Sequence, residues 1–299
     1  MGSSLALVFA SDEGFARPLA VAMHSALGHV SPTLAVEVYV LDNGIGNESR
    51  RRLRRAAAGR EIRWIRVPPD RLVEHRGAEH FTSTSYARLL IPELLPRHVR
   101  RAVYLDGDVL VTGDLSPLFE LELGNAPFAA VRDYAIGSTD RERPYFNAGV
   151  LAMDLERWRQ TGLAERALAY ADAQTEPLFW GDQDALNAVA ESWHELDLRW
   201  NVQATVLRDI ENTRTDLTDR LSRQRDDLCR TAAVLHFAGY HKPWIPRASP
   251  PATMRWARAL RRSGWYGPGE YLRWIAPLLG KRAILAAGRR GRRRDRRRD

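Results

Sequence analysis

Val103-Tyr104-Leu105-Asp106-Gly107-Asp108-Val109-Leu110-Val111 sets two carboxylates, two residues apart, inside an otherwise apolar run. On an extended backbone, side chains at i and i+2 point to the same side. Gly107 between them lets another group approach the backbone closely. Two aspartates within a buried strand are very costly without a counter-charge. A hard divalent cation, Mg²⁺ or Mn²⁺, is the simplest remedy. Such an ion neutralises charge developing on a departing diphosphate. An Asp-x-Asp triplet alone is also a common turn, so the surrounding chain has to decide.

Upstream, the sequence alternates strand and helix. Leu5–Ala10, Val36–Leu41 and Ile62–Val67 read as strands. Arg17–Leu27 and Ser49–Ala58 read as helices, the second closed by Gly59. This order predicts an α/β fold: a mainly parallel central sheet with helices on both faces and ligands at the strand ends. Downstream, Ser85–Leu95 reads as a helix ending at Pro96. Ala102–Leu105 reads as a strand that Val109–Val111 continues. Phe128–Arg132 and Ala232–Phe237 are further strands, and Tyr145–Met153 is another apolar segment, leading into a helix that begins near Asp154 or Leu155; a further helix covers Gln183–Glu191. Residues 204–231 are highly charged and poorly patterned. No linker interrupts the chain before about residue 250, which divides it into a body, 1–249, and an extension, 250–299.

The formal charge of +8 is local. Lys281 and nine arginines against Asp295 and Asp299 account for all of it, leaving a neutral body. That argues against a nucleic-acid-binding body and for a tail that meets a polyanionic surface. Among 45 basic residues only Lys242 and Lys281 are lysines, so Lys242 invites attention. Cys229, the single cysteine, can form no internal disulfide, which fits a reducing cytoplasm. Leu5–Ala10 has no charged n-region and reads as a buried strand, not a signal peptide.

Six ordered segments resemble glycosyltransferase family 8, which includes glycogenin and the bacterial lipooligosaccharide galactosyltransferases. They are Val8–Asp12, Ser85–Leu89, Tyr104–Val111, Phe146–Leu151, Asp182–Asn187 and His236–Trp244, and the resemblance covers roughly residues 5–245. It implies a single GT-A-type nucleotide-diphospho-sugar transferase domain. It further implies a retaining transferase that moves a hexose, galactose or glucose, from a UDP-sugar to a hydroxyl-bearing acceptor: a glycan, a lipid-linked glycan or a small molecule. By the same resemblance, Asp106, Asp108 and His236 are the metal ligands, and Lys242 meets the diphosphate. Ala10, Asp12 and Phe15 match positions that hold uracil and ribose. Gly14 departs from an asparagine of close relatives. Gly107 and Gly239 are counted with the donor site, and Arg88, Asp133, Asn147, Asp182 and Gln183 line the donor-sugar pocket.

Asp182 and Gln183 are the expected catalytic pair. Retaining glycosidases use a carboxylate nucleophile, but the resemblance puts Gln183 beneath the sugar, and an amide is a poor nucleophile. A front-face path is therefore expected. The loop His75–Thr84 and the segment Ala238–Trp244 are expected to close over the donor and exclude water. In the extension, Trp256, Trp265, Tyr271 and Trp274 alternate with arginines, the pattern of a helix at an anionic membrane surface, with 281–299 in peripheral contact. A solvated tail explains the same composition. Two rival readings of the whole chain remain: a metal-dependent phosphoesterase acting on a nucleotide-sugar, and a non-catalytic protein that binds anionic surfaces.

Overall fold

Strand β1 (Ser4–Ser11) is buried on both sides: Leu7 and Phe9 point into one hydrophobic layer, Ala6, Val8 and Ala10 into the other. That two-sided burial is why its apolar run is continuous rather than alternating. The computed structural model describes residues 4–68, 71, 83–133, 144–203, 225–245 and 252–280. After β1 come α1 (Ala16–Leu27), β2 (Val36–Asp42), α2 (Asn47–Ala56) and β3 (Ile62–Arg66). Then follow α3 (Ile91–Leu94), β4 (Val99–Leu105), β5 (Val109–Val111), α4 (Ser116–Glu120), β6 (Phe128–Arg132) and β7 (Phe146–Asp154). The remaining elements are α5 (Leu155–Gln160), α6 (Leu163–Asp172), α7 (Asp182–Val189), β8 (His194–Glu195), β9 (Val202–Gln203), α8 (Arg225–Thr231), β10 (Val234–His236), α9 (Thr253–Arg262) and α10 (268–280).

The main sheet has the order β3-β2-β1-β4-β7-β6-β8. Only β7 runs against the rest, pairing antiparallel with both β4 and β6. The expected mainly parallel sheet, with helices on both faces, is present. One layer contains α1 and α2, and the other contains α5, α6 and α7. A second sheet, β5-β10-β9, lies in the α1 layer.

Three expectations change. Val109–Val111 does not continue β4. The chain turns at Asp106–Asp108 and enters the second sheet, where β5 pairs antiparallel with β10. The single helix expected over Ser85–Leu95 is instead a 3₁₀ helix, Ser83–Leu90, followed by the one-turn α3. Pro92 has no N–H to give the carbonyl of Arg88, so an α-helix cannot run through it. Third, the rings after residue 250 are largely taken up inside the protein. Trp256 and Leu260 are fully buried with α1 in the body's own core, while Ala257, Tyr271, Ile275 and Leu278 pack α9 on α10. Trp256, Leu260 and Trp265 share the core of the body, and these rings are not free for a lipid interface. Among the described residues no helix is long and apolar enough to cross a membrane. Residues 281–299 and most of the loop 75–84 lie outside the described residues.

Candidate active site

The parallel strands β1, β2 and β4 end side by side, and the chain carries Asp12, Asn43 and Asp106 just beyond their carboxyl ends. Asp12 Oδ1 accepts from Phe15 N at 3.0 Å, which shapes the turn into α1. Its other oxygen accepts from Thr84 Oγ1, which in turn accepts from Asn43 Nδ2 at 2.8 Å. Phe15 is 37% exposed. Its ring and that of Trp244 stand nearly perpendicular, with centroids 5.8 Å apart.

Asp106 and Asp108 do act on one side. The Nε2 atom of His236 stands 3.2 Å from Asp108 Oδ1 and 3.7 Å from Asp106 Oδ2. The antiparallel register of β5 and β10 sets His236 opposite Val109, which brings its ring to the aspartate turn. One ligand atom from each of the three residues lies within 4.8 Å of the others. Two carboxylates and an imidazole nitrogen suit Mn²⁺ or Mg²⁺ in chemistry and in spacing. Lys242 Nζ pairs with the remaining oxygen of Asp108 and donates to Phe237 O at 2.8 Å. It also lies 5.9 Å from the Phe15 ring and 5.8 Å from the Trp244 ring, within cation–π range.

Arg88 joins this group to the next one. Its guanidinium is 3.1 Å from Asp106 Oδ1 and 2.7 Å from Asp182 Oδ2, and it donates to Ala148 O at 2.7 Å. Tyr104 Oη donates to Asp106 Oδ1 at 2.7 Å. Asp133, Asn147 and Gln183 form a connected set beside it. Asn147 Nδ2 donates to Asp133 Oδ2 at 3.0 Å, and Gln183 Nε2 donates to the same oxygen at 3.2 Å. Gln183 Oε1 accepts from Ala148 N at 3.0 Å. Asn187 holds α7 on β7 by exchanging bonds with both the N–H and the C=O of Phe146.

Burial penalises the charge of Asp108 and Asp182, and the neighbours decide the outcome. Burial alone would raise Asp108, but Lys242 and His236 hold it well below the usual carboxylate range. Burial pushes Asp182 up from 3.8 to about 6, with Arg88 opposing and Asp106 adding to the rise. A raised carboxylate binds protons more tightly folded than unfolded, so Asp182 makes folding less favourable as pH climbs from 3.8 to about 6. Burial also holds the Tyr104 hydroxyl far above its ordinary value.

The structure thus unites Asp106, Asp108, His236 and Lys242, and links them through Arg88 to Asp182 and, beside it, Gln183, Asn147 and Asp133. Ala10 is buried in β1, two residues short of Asp12. A Cβ on Gly107 would meet Phe15 Cδ1 at 3.5 Å, an ordinary contact, so no close approach requires glycine there. Gly239 has φ +77°, the left-handed turn conformation that favours glycine. Two participants escape sequence reasoning. Asn201, only 1% exposed, bonds both His236 and Asn147. Gly149, visible inside a quoted segment but given no role, leaves the space that the His236 ring and the Asp106 carboxylate occupy. Neither position carries a motif of its own.

The sequence profile of Glycosyl transferase family 8 matches residues 6–247. General stress protein A of Bacillus subtilis (strain 168) is 30% identical over 258 residues, covering 82% of this chain and 89% of that protein. Lipopolysaccharide 1,2-glucosyltransferase of Escherichia coli (strain K12) is 27% identical over 215 residues, 68% of this chain and 62% of that longer protein. Among solved structures, an active-site variant of LgtC superposes with a TM-score of 0.72 at 28% identity, covering 89% of this chain and 98% of that one. The galactosyltransferase LgtC in complex with donor and acceptor sugar analogs gives 0.71 at 28% identity, covering 86% and 95%. Matching sequence across the whole body, a shared fold and an acidic cluster at the strand ends make this chain a member of glycosyltransferase family 8.

Proposed function

We propose that this transferase takes its sugar from a UDP-hexose, galactose or glucose, and passes it with retention to a hydroxyl acceptor. The observation that carries the reading is the convergence of Asp106, Asp108 and His236 beside Lys242 at the carboxyl ends of the parallel strands. The relatives support a hexose: one is named a glucosyltransferase, and LgtC is a galactosyltransferase described with donor and acceptor sugar analogs. They also support a glycan acceptor, since the E. coli relative is named for lipopolysaccharide.

Asp106, Asp108 and His236 would hold Mn²⁺ or Mg²⁺. When bound, such an ion supplies positive charge where the diphosphate leaves. The chain's own residues do the rest. Phe15 offers its exposed ring to the uracil, and Asp12 sits beside it for the ribose, with Ala10 on the strand leading in. Lys242 is a point cation on a flexible stem, suited to a diphosphate oxygen. Gly239 lets the His236–Trp244 segment turn towards the donor, and Gly107 sets its backbone in the aspartate turn beside Phe15. Arg88, Asp133 and Asn147 present oriented donors and acceptors to the sugar hydroxyls. Asp182 carries negative charge near the anomeric centre, held at the pocket wall by Arg88. Gln183 is already tied through Oε1 to Ala148 N and through Nε2 to Asp133, so it orients the sugar and does not attack it. A front-face path follows, with a diphosphate oxygen helping to take the acceptor's proton.

UDP release with a panel of UDP-sugars, with and without acceptor and Mn²⁺, tests this. Mn²⁺-dependent release that rises on acceptor addition, for UDP-galactose or UDP-glucose, is expected. Release that ignores the acceptor would instead support a phosphoesterase. At saturating donor and acceptor, Asp182→Asn and Gln183→Ala are expected to lower kcat by about 10²-fold or more. Unchanged turnover in both would remove their assigned roles.

A further inference from the structure

We propose that Asn201 is a positioning residue that holds a hydrogen on His236 Nδ1, so that Nε2 is the ring nitrogen offered to a cation. The assignment starts from a donor that cannot be reversed. The backbone N–H of Gly149 donates at 3.0 Å to the side chain of Asn147, so the atom it meets is the oxygen Oδ1. The other arm of Asn147 is then its NH₂, which faces Asp133 Oδ2, an acceptor, at 3.0 Å. Asn147 Oδ1 also meets Asn201 at 2.8 Å, and an oxygen there demands a donor, so this arm of Asn201 is Nδ2. The remaining arm, Asn201 Oδ1, lies 2.9 Å from His236 Nδ1. An amide oxygen only accepts, so Nδ1 bears the hydrogen. Nδ1 is thereby taken up, and Nε2 is the nitrogen that faces Asp108 and Asp106.

The fold supplies the precision. Asn201 directly precedes β9, and β9 pairs in parallel with β10, setting Gln203 beside His236. Both side chains are buried, Asn201 at 1% exposure and His236 at 2%, so no solvent competes for the bond. A ligating histidine generally owes its tautomer and ring orientation to a partner on its other nitrogen. Here that partner is an amide whose own orientation is dictated, through Asn147, by one backbone N–H.

The inference deepens the metal reading, which needs Nε2 as a ligand, but the proton's position is measurable without metal. Long-range ¹H–¹⁵N spectra of the full, metal-free chain labelled at histidine report it, with His236→Gln identifying the signals. The wild type is expected to show the Nδ1–H form. Asn201→Leu, or Asn201→Ala if the larger side chain prevents folding, is expected to lose it, and Asn201→Asp, which keeps an acceptor, to retain it. Titration with Mn²⁺ is expected to show about 10- to 100-fold weaker binding in the Leu and Ala variants, with the Asp variant close to wild type. A wild type without a hydrogen on Nδ1, or a Leu or Ala variant that keeps it there, overturns the proposal. A wild type with the Nδ1–H form that takes up no Mn²⁺ leaves Asn201's role standing and removes the cation reading alone.

Discussion

Asp108→Asn is expected to lower kcat/KM for sugar transfer by about 10³-fold, a loss of roughly 4 kcal/mol of transition-state stabilisation. The change is nearly isosteric, so it isolates charge. In the wild type, one carboxylate oxygen faces His236 Nε2 at 3.2 Å and the other pairs with Lys242. An asparagine gives the cation one neutral oxygen and turns an N–H₂ towards either the imidazole or the ammonium. Both consequences weaken diphosphate binding. The variant is also expected to lose stability at neutral pH. Asp108 is held below the usual carboxylate range when folded, so its contribution is present above its unfolded value and is lost only as pH falls through the folded one. The stability gap between wild type and variant should therefore be full at pH 7 and close in strong acid. Equal stability at both pH values would contradict this, as would near-normal turnover.

Gly149→Ala adds one methyl group and is expected to abolish Mn²⁺ binding. Its Cβ would stand 2.8 Å from Asp106 Oδ2 and from His236 Nδ1, and closer still to His236 Cε1. Neither neighbour has room to retreat. Asp106 is held by Tyr104 and Arg88, while His236 is fixed by Asn201 and by a strand paired on both sides. Overpacking at such a point costs about 1–3 kcal/mol, readable as a lower melting temperature. Gly269→Ala, in helix α10 with nothing within 4 Å of the new Cβ, is the control, and it should be neutral or slightly stabilising. A Gly149→Ala protein that melts like the wild type and binds Mn²⁺ normally would show that the packing around His236 is looser than described.

Much of this arrangement was legible in the chain. The strand and helix rhythm of residues 5–67 depends on local periodicity, and β1, α1, β2, α2 and β3 follow it within a few residues. The aspartate pair was legible because two charges in an apolar run need a partner, and His236, 128 positions from Asp108, answered it only through the resemblance. What was hidden depends on long-range placement. Val109–Val111 is as apolar as the strand before it, and only the turn at Asp106–Asp108 sends it to another sheet. Trp256 and Trp265 look the same in composition whether they face lipid or α1. Asn201 has no sequence neighbour that marks it, since its partners come from β7 and β10. Gly149 carries no unusual φ, so its reason is the space it leaves rather than the backbone it permits.

The role of the acidic cluster is tested most directly by titrating UDP into the protein by calorimetry, first with Mn²⁺ and then with the metal stripped by EDTA. Tight binding that weakens at least tenfold on stripping, and that Asp108→Asn reduces by a similar factor in the presence of Mn²⁺, is the predicted result. UDP that binds the stripped wild type as well as the Mn²⁺-loaded one would contradict the account.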